Sequence, residues 1–101
     1  MKKIINGKMY NTETANCVGY WENGYGCGDF QYAEERLYRK RTGEFFIHGE
    51  GGAMTQYAES DGDAYCGGEK IIPISEDEAK EWAENHLTAD DYESIFGEVE
   101  E

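Results

Sequence analysis

Carboxylate side chains dominate the last quarter of the chain. Residues 75–101 contain 11 of the 22 acidic residues and only one base, Lys80, whereas residues 1–74 contain the other 11 acids and 8 bases. The acids in this segment recur three or four positions apart, which on a helix places Cβ atoms about 5–6 Å apart. Phosphates along a nucleic-acid strand carry charge at a comparable spacing. The pattern therefore predicts a surface that mimics nucleic acid and occupies a basic groove of another protein.

Seven acids form this predicted partner-binding surface: Glu76, Asp77, Glu81, Glu84, Asp90, Asp91 and Glu93. The segment continues with Glu98, Glu100 and Glu101. The alternative interpretation is a solvated face that serves only solubility, in a chain whose net charge is −13. Like charges at these spacings destabilise a helix, however, and cations are nearly absent from the segment. This favours a binding role.

A second candidate surface is basic. It consists of four cations in a short segment, Arg36, Arg39, Lys40 and Arg41. Basic side chains interleaved with aromatic ones can bind single-stranded nucleic acid. The neighbouring aromatic residues are equally suited to the core of a hairpin, and Glu34, Glu35 and Glu44 are close enough to neutralise the cations. A small nucleic-acid-binding protein that uses residues 36–41 is therefore kept as an alternative.

Catalysis is not expected. The best candidate for a general base is His48, with Cys27 or Cys66 as a nucleophile and Glu50 as an orienting group. Nothing in the spacing requires that arrangement, and a strand histidine beside glycines is more often structural. We expect a chain that binds rather than an enzyme.

No metal ion or other cofactor is expected. The chain has three cysteines and two histidines, and no two cysteines form the CxxC pair that is typical of zinc sites. Asp61 and Asp63 faintly resemble a calcium loop, but no glutamate lies at the twelfth position from either. Free thiols fit a reducing cytoplasm. The first residues lack the apolar run of a signal peptide and no stretch is apolar enough to span a membrane, so we expect a cytoplasmic location.

Strands in the first part of the chain must support these surfaces. Asn6-Gly7 between short apolar runs predicts an N-terminal hairpin with a type I′ turn. Thr12 is suited to cap a short helix over residues 13–20. The glycines within residues 22–29 predict a loop, with Tyr25 and Cys27 turned inward.

The middle of the chain predicts a central antiparallel hairpin. The predicted strands cover residues 30–39, 44–49 and 70–74. The glycines that follow the second strand, Gly49, Gly51 and Gly52, predict a bulge or a tight turn with positive φ. Residues 59–68 predict a polar loop, and Pro73 is expected at a strand end or on a sheet edge because it cannot donate a backbone hydrogen bond.

The periodicity changes from two to 3.6 after residue 74. Ser75 and Glu78 form a capping box for a helix that runs to about His86. Its predicted buried stripe is Ala79, Trp82, Ala83 and His86. A second helix, capped by Thr88 and interrupted by Gly97, has the stripe Tyr92, Ile95, Phe96 and Val99. Strands first and helices last predict one α+β domain over residues 1–101, a small antiparallel sheet with C-terminal helices packed on one face.

Three stretches resemble a known group of proteins. They are IINGKMYNT at 4–12, LYRKRTGEFFIHGEGG at 37–52 and IIPIS at 71–75. Over most of its length the chain resembles a family of short proteins from phages and mobile elements of bacteria, a setting that includes small acidic anti-CRISPR inhibitors, some of them nucleic-acid mimics. The resemblance implies that setting for this chain.

Together with the charge pattern, the resemblance leads us to expect an anti-CRISPR-type inhibitor. The expected partner is the basic nucleic-acid-binding surface of a CRISPR–Cas effector, with another host nuclease such as a restriction enzyme as the alternative. Direct contact with nucleic acid or a membrane is not expected.

Overall fold

The chain folds around a four-stranded antiparallel sheet. The computed structural model describes residues 1–26, 28–62 and 64–100. Cys27, Asp63 and Glu101 lie outside the described residues. The predictions of an inward-facing or nucleophilic Cys27, of a calcium-loop likeness at Asp63 and of an acidic surface at Glu101 therefore lie outside them too.

The main sheet has the strand order β3-β4-β5-β8, and two further hairpins, β1–β2 and β6–β7, lie beside it. The elements are β1 (Lys2–Ile5), β2 (Lys8–Asn11), β3 (Asn16–Glu22), β4 (Ala33–Arg39), β5 (Phe45–Gly51), β6 (Glu59–Asp61), β7 (Ala64–Cys66), β8 (Gly68–Ile74), α1 (Glu76–His86) and α2 (Ala89–Phe96). Neighbouring strands are all antiparallel. The predicted α+β class is confirmed.

Each face of the main sheet has its own core, because successive side chains of a strand point to opposite faces. The face under the helices buries Leu37, Phe45, Ile47 and Ala79. The face under the N-terminal hairpin buries Tyr10, Tyr38, Phe46 and Ile71. The helices therefore pack on one face, as predicted, and β1–β2 covers part of the other.

Local sequence signals explain the N-terminal turn and the starts of both helices. Asn6 and Gly7 have φ angles of 52° and 77°, the positive values that a type I′ turn requires. The Ser75 hydroxyl accepts a hydrogen bond from the Glu78 N–H at 3.1 Å, and the Glu78 carboxylate accepts one from the Ser75 N–H at 3.0 Å. Thr88 caps α2 through its side chain. These predictions are confirmed.

The predicted strands are confirmed with shifted bounds. The first of them begins at Ala33 instead of residue 30, and the second runs over Phe45–Gly51. The third begins two residues earlier than predicted, at Gly68. It lies at the edge of the sheet, which is the position expected for a strand that contains Pro73.

The helix predicted over residues 13–20 is wrong. The Ala15 N–H donates to the carbonyl of Asn11 at 3.0 Å, which closes a turn, and the chain then enters β3. Residues 16–22 are rich in aromatic and β-branched side chains, which favour a strand once a sheet partner is present. Gly19 in this strand lies under α1, where a Cβ atom would be 2.8 Å from the Trp82 ring. Packing between sheet and helix, which a local cap does not reveal, decides this segment.

Four smaller predictions are also corrected. Residues 59–68 are not an unstructured loop, because they contain the β6–β7 hairpin. Tyr25 is 46 % exposed rather than turned inward. Gly97 ends α2 instead of interrupting it, so Val99 lies beyond the helix and is exposed. In α1, Trp82 and His86 are only half-buried, although they face the sheet with the two buried alanines.

The glycines of β5 serve close packing instead of a turn. Gly49 and Gly51 of β5, and Gly52 after it, are not among the positive-φ residues, so the predicted positive φ is wrong. The register of β5 with β4 and β8 is continuous through Gly51, so the predicted bulge is not found within the strand either. A Cβ atom on Gly49 would lie 2.1 Å from the ring of Tyr57, which is almost fully buried. The missing side chain at Gly49 therefore makes room for the Tyr57 ring against the sheet.

We expect the substitution Gly49→Ala to lower the free energy of unfolding by about 1–3 kcal/mol, because the new methyl group overlaps the Tyr57 ring. Urea unfolding followed by circular dichroism measures the change. Gly26→Ala is the matched control, since a Cβ atom there meets nothing within 4 Å, and it should change stability by less than about 0.5 kcal/mol. Equal stability of the two variants would contradict the packing role of Gly49.

Candidate partner-binding surface

Three acids of α1 lie on the side of the helix away from the sheet. Ala79 and Ala83 are fully buried and mark the inner side. With about 100° between successive residues, Asp77, Glu81 and Glu84 fall within about 60° of one another on the opposite side. All three are exposed.

The same arrangement holds for α2. Tyr92, Ile95 and Phe96 are half-buried and face inward, with the Phe96 ring centroid 5.5 Å from that of Phe45 in the sheet. Asp90 lies opposite this stripe, and Glu93 and Asp91 lie on its two flanks. The two helices therefore direct their carboxylates away from the core.

All seven acids of the predicted binding surface are exposed: Glu76, Asp77, Glu81, Glu84, Asp90, Asp91 and Glu93. We call this set the acidic helical face. None of its carboxylates forms a salt bridge with any residue that the structure describes. The one cation of the two helices, Lys80, lies with its ammonium group 5.9 Å from the centroid of the Phe96 ring. The negative charge of the face is therefore not neutralised within the described chain.

A shallow apolar groove separates α1 from α2 beside this face. It has a volume of about 340 Å³ and is lined by Ala83, Glu84, Leu87, Thr88, Ala89, Tyr92, Glu93 and Val99. Two acids of the acidic helical face, Glu84 and Glu93, thus border an apolar floor. This arrangement suits a side chain that is apolar along its stem and cationic at its end.

The basic residues do not form a free patch. The guanidinium of Arg36 pairs with Glu34 at 2.7 Å. Arg39 donates to the carbonyl of Ile95 in α2 at 3.0 Å. Lys40 lies 3.5 Å from the Glu44 carboxylate, and its ammonium is 4.4 Å from the centroid of the Tyr10 ring. Three of the four cations therefore make contacts within the fold. Glu35, which was expected to neutralise them, accepts hydrogen bonds from Gln56, Tyr57 and Trp82 instead.

Strand register creates a row of carboxylates that the sequence analysis missed. Glu22 pairs with Glu34, Glu34 with Glu50, and Glu50 with Glu69, so that four adjacent strands each contribute one glutamate to the same face. We call this set the glutamate row. It could be recognised only from the register, because its members are 12 to 19 positions apart in the sequence.

The two central members of the glutamate row are coupled, and their pKa values move apart. The Glu50 carboxyl donates a hydrogen bond to the Glu34 carboxylate, which lowers the pKa of Glu34 to about 2 although burial opposes this shift. Tyr32, Arg36 and Tyr20 also donate to Glu34. The same hydrogen bond, together with burial and the nearby charge of Glu34, raises the pKa of Glu50 to about 7. Two carboxylates this close cannot both be ionised at low cost.

The catalytic arrangement considered for His48 is not present among the described residues. Its Nε2 atom lies 3.6 Å from Glu69 and is buried without a hydrogen-bond partner in the described part of the chain. Glu50, the expected orienting group, bonds to Glu34 instead. Cys66 is an exposed free thiol in β7. The structure thus places these groups in separate contacts.

The environment of Glu35 is the second feature that the sequence analysis missed. Its residue surface is only 9 % exposed, yet no salt bridge among the described residues includes it. The Trp82 indole N–H donates to Oε1 at 2.9 Å, while the Tyr57 hydroxyl and, at 3.3 Å, the Gln56 amide donate to Oε2. A buried carboxylate whose described donors are all neutral is uncommon, because buried charges are generally paired.

The coupling of Glu34 and Glu50 predicts a measurable pH dependence of stability. A carboxyl group whose pKa rises on folding, here from 4.5 to about 7, contributes stability that is present below the unfolded pKa and is lost as the pH rises through the folded pKa. Glu50→Gln keeps a donor to Glu34 but does not titrate. We therefore expect the variant to be more stable than the wild type at pH 7.5, by about 1–2 kcal/mol after allowance for solvent screening, and equally stable at pH 4.5.

Urea unfolding of both proteins across this pH range measures the effect. Glu59→Gln is the control, because Glu59 is an exposed acid outside the glutamate row, and its curve should parallel that of the wild type. Parallel curves for Glu50→Gln and the wild type would contradict this coupling.

Among the described residues, no helix has the length and apolar character needed to cross a membrane. No family model, no curated protein and no solved structure matches this chain. The family resemblance described above therefore stays a prediction, and the exposed acidic helical face is the feature on which a function can be based.

Proposed function

We propose that this chain is an inhibitor that binds the basic, nucleic-acid-binding surface of another protein through the acidic helical face. The observation that carries the proposal is that all seven carboxylates are exposed and form no salt bridge within the described chain. A groove that binds phosphates presents rows of lysine and arginine side chains. Carboxylates at helical spacing can pair with those cations in place of phosphates. In this proposal the chain acts by binding and catalyses no reaction.

The positions of three acids favour a binding surface over a merely solvated one. Acids in the first turn of a helix stabilise it through the helix dipole, which accounts for Glu76, Asp77, Asp90 and Asp91. Glu81, Glu84 and Glu93 come after the first turn, so that benefit does not extend to them. Glu84 and Glu93 lie in the last turns of their helices, where the dipole disfavours negative charge. Solubility alone gives no reason for these three positions, and a cationic partner does.

The groove between the helices adds an apolar contribution. Lysine and arginine side chains pack their aliphatic stems on apolar surfaces while their charged ends stay polar. If the aliphatic stem of a partner's lysine or arginine lies against Leu87 and Tyr92, its cationic end reaches Glu84 or Glu93. Charge and apolar contact therefore favour the same class of partner.

The proposed target is a CRISPR–Cas effector, and the proposed location is the cytoplasm of a bacterial host cell. Both follow from the resemblance to small acidic proteins of phages and mobile elements. The second candidate in the same class is another host nuclease, such as a restriction enzyme. Direct binding of nucleic acid is disfavoured, because Arg36, Arg39 and Lys40 are engaged within the fold and the net charge of −13 repels phosphate.

The triple variant Glu81→Lys, Glu84→Lys and Glu93→Lys tests the acidic helical face. Lysine near the end of a helix is compatible with the dipole, so the fold should persist. A single exposed pair contributes less than about 1 kcal/mol. Because three charges are reversed, we expect inhibition of DNA cleavage by a guide-loaded Cas nuclease to weaken about 10- to 100-fold. Raising the salt concentration should weaken binding by the wild type as well.

A variant with the same change in net charge is the control. It reverses three exposed acids outside the helices, Glu13, Glu22 and Glu59, and it should lose little inhibition. Circular dichroism establishes that both variants are folded. Equal potency of the wild type and the helical variant would overturn the mechanism. A wild type that inhibits a restriction enzyme and no Cas nuclease would overturn the choice of target and support the alternative.

A further inference from the structure

A second groove lies at the end of the sheet where β3 ends and β4 begins. It has a volume of about 600 Å³ and is lined by Asn23, Tyr25 and Gln31, by the 54–56 segment and by the last turn of α1. The residues that matter for its chemistry are Trp21, Tyr25, Glu35, Met54, Gln56 and His86. We call it the Trp21 groove. It shares no lining residue with the groove between the helices.

The floor of the Trp21 groove contains the carboxylate of Glu35. This carboxylate accepts about four hydrogen bonds when fully satisfied, and the described neutral donors supply three. The longest of the three, at 3.3 Å, comes from Gln56, whose residue is exposed. A ligand donor that displaces Gln56 and a second one that takes the free position on Oε1 would together make a bidentate contact.

The walls of the groove are aromatic. Trp21 is half-buried, lies against His86 with ring centroids 4.5 Å apart, and lines the groove. Tyr25 is 46 % exposed beside it, and Met54 is 68 % exposed at the opposite side. Contiguous exposed apolar side chains of this kind are typical of interaction sites.

We propose that the Trp21 groove binds an arginine side chain of a protein partner. Its guanidinium lies between aromatic walls and donates two hydrogen bonds to Glu35, and its aliphatic stem packs against Met54. Arginine fits better than lysine, because a planar guanidinium stacks on aromatic rings and donates in a fork, whereas an ammonium group does neither. The buried carboxylate of Glu35, whose described donors are all neutral, then gains a cationic partner. This proposal does not rest on the acidic helical face.

The probe is the blocked tripeptide acetyl-Gly-Arg-Gly-amide, compared with the same peptide containing lysine or the uncharged residue norleucine. Binding is followed by nuclear magnetic resonance of the indole N–H groups, because the Trp82 N–H contacts Glu35 directly and Trp21 lines the groove. We expect a saturable shift of both indole signals with the arginine peptide. The lysine peptide should bind at least threefold more weakly, and the norleucine peptide should produce no saturable shift.

Two kinds of variant make the test decisive. Glu35→Gln should weaken binding of the arginine peptide at least tenfold. Since that substitution also disturbs buried hydrogen bonds, Tyr25→Ala and Met54→Ala serve as surface variants that leave Glu35 intact, and each should weaken binding at least threefold. The triple reversal at Glu81, Glu84 and Glu93 should bind the peptide within about twofold of the wild type.

The outcomes separate the two surfaces. Equal binding of the arginine and norleucine peptides, or no saturable binding of either, overturns the proposal. Binding that persists in Tyr25→Ala and Met54→Ala but disappears in the triple reversal also overturns it, because the peptide would then be bound by the acidic helical face.

Discussion

The buried carboxylate of Glu35 is the contact on which the arrangement of the helical side depends. A carboxylate that leaves water must be satisfied by donors, and here they come from the 52–58 segment and from α1. Tyr57 reaches this position because Gly49 leaves room for its ring, and Trp82 reaches it because Gly19 lets the indole approach β3. The Glu35 carboxylate in β4 therefore links α1 and the 52–58 segment to the sheet, and glycine at two strand positions makes room for its two aromatic donors.

The negative charge of the chain is distributed in two ways. In and next to the sheet, part of it is compensated: Glu34 accepts a hydrogen bond from Glu50 and pairs with Arg36, and Glu44 accepts from Lys8 at 3.0 Å. On the helices it is not compensated within the described residues. Glu35 has no cationic partner among the described residues, but three neutral donors satisfy its carboxylate. Glu34, Glu35 and Glu44 thus have partners within the fold, whereas the acidic helical face forms no salt bridge with a described residue, and this contrast supports the proposed cationic partner.

Short-range signals predicted the elements whose structure is decided by neighbours in the sequence. The Asn6-Gly7 turn and the Ser75 capping box are of this kind, since their hydrogen bonds and φ angles involve residues at most three apart. The strand β3 was missed because its conformation depends on pairing with β4 and on the indole above Gly19. The glutamate row and the surroundings of Glu35 were missed for the same reason, as register and tertiary packing bring their members together. The exposed positions of the seven helical acids, in contrast, followed directly from the 3.6 periodicity.

The two proposed surfaces differ in what they contribute to recognition. Exposed charges act over distances near the Debye length of about 8 Å at physiological salt, so the contribution proposed for the acidic helical face is mainly a faster encounter with a strongly basic protein. That contribution is large but discriminates poorly, because many nucleic-acid-binding proteins are basic. The Trp21 groove acts only at contact and requires a planar cation with an apolar stem next to an aromatic wall. Charge-assisted contacts at short range, which salt screens less, decide how long a complex persists. A partner that satisfies both surfaces is thereby distinguished from one that satisfies only the first.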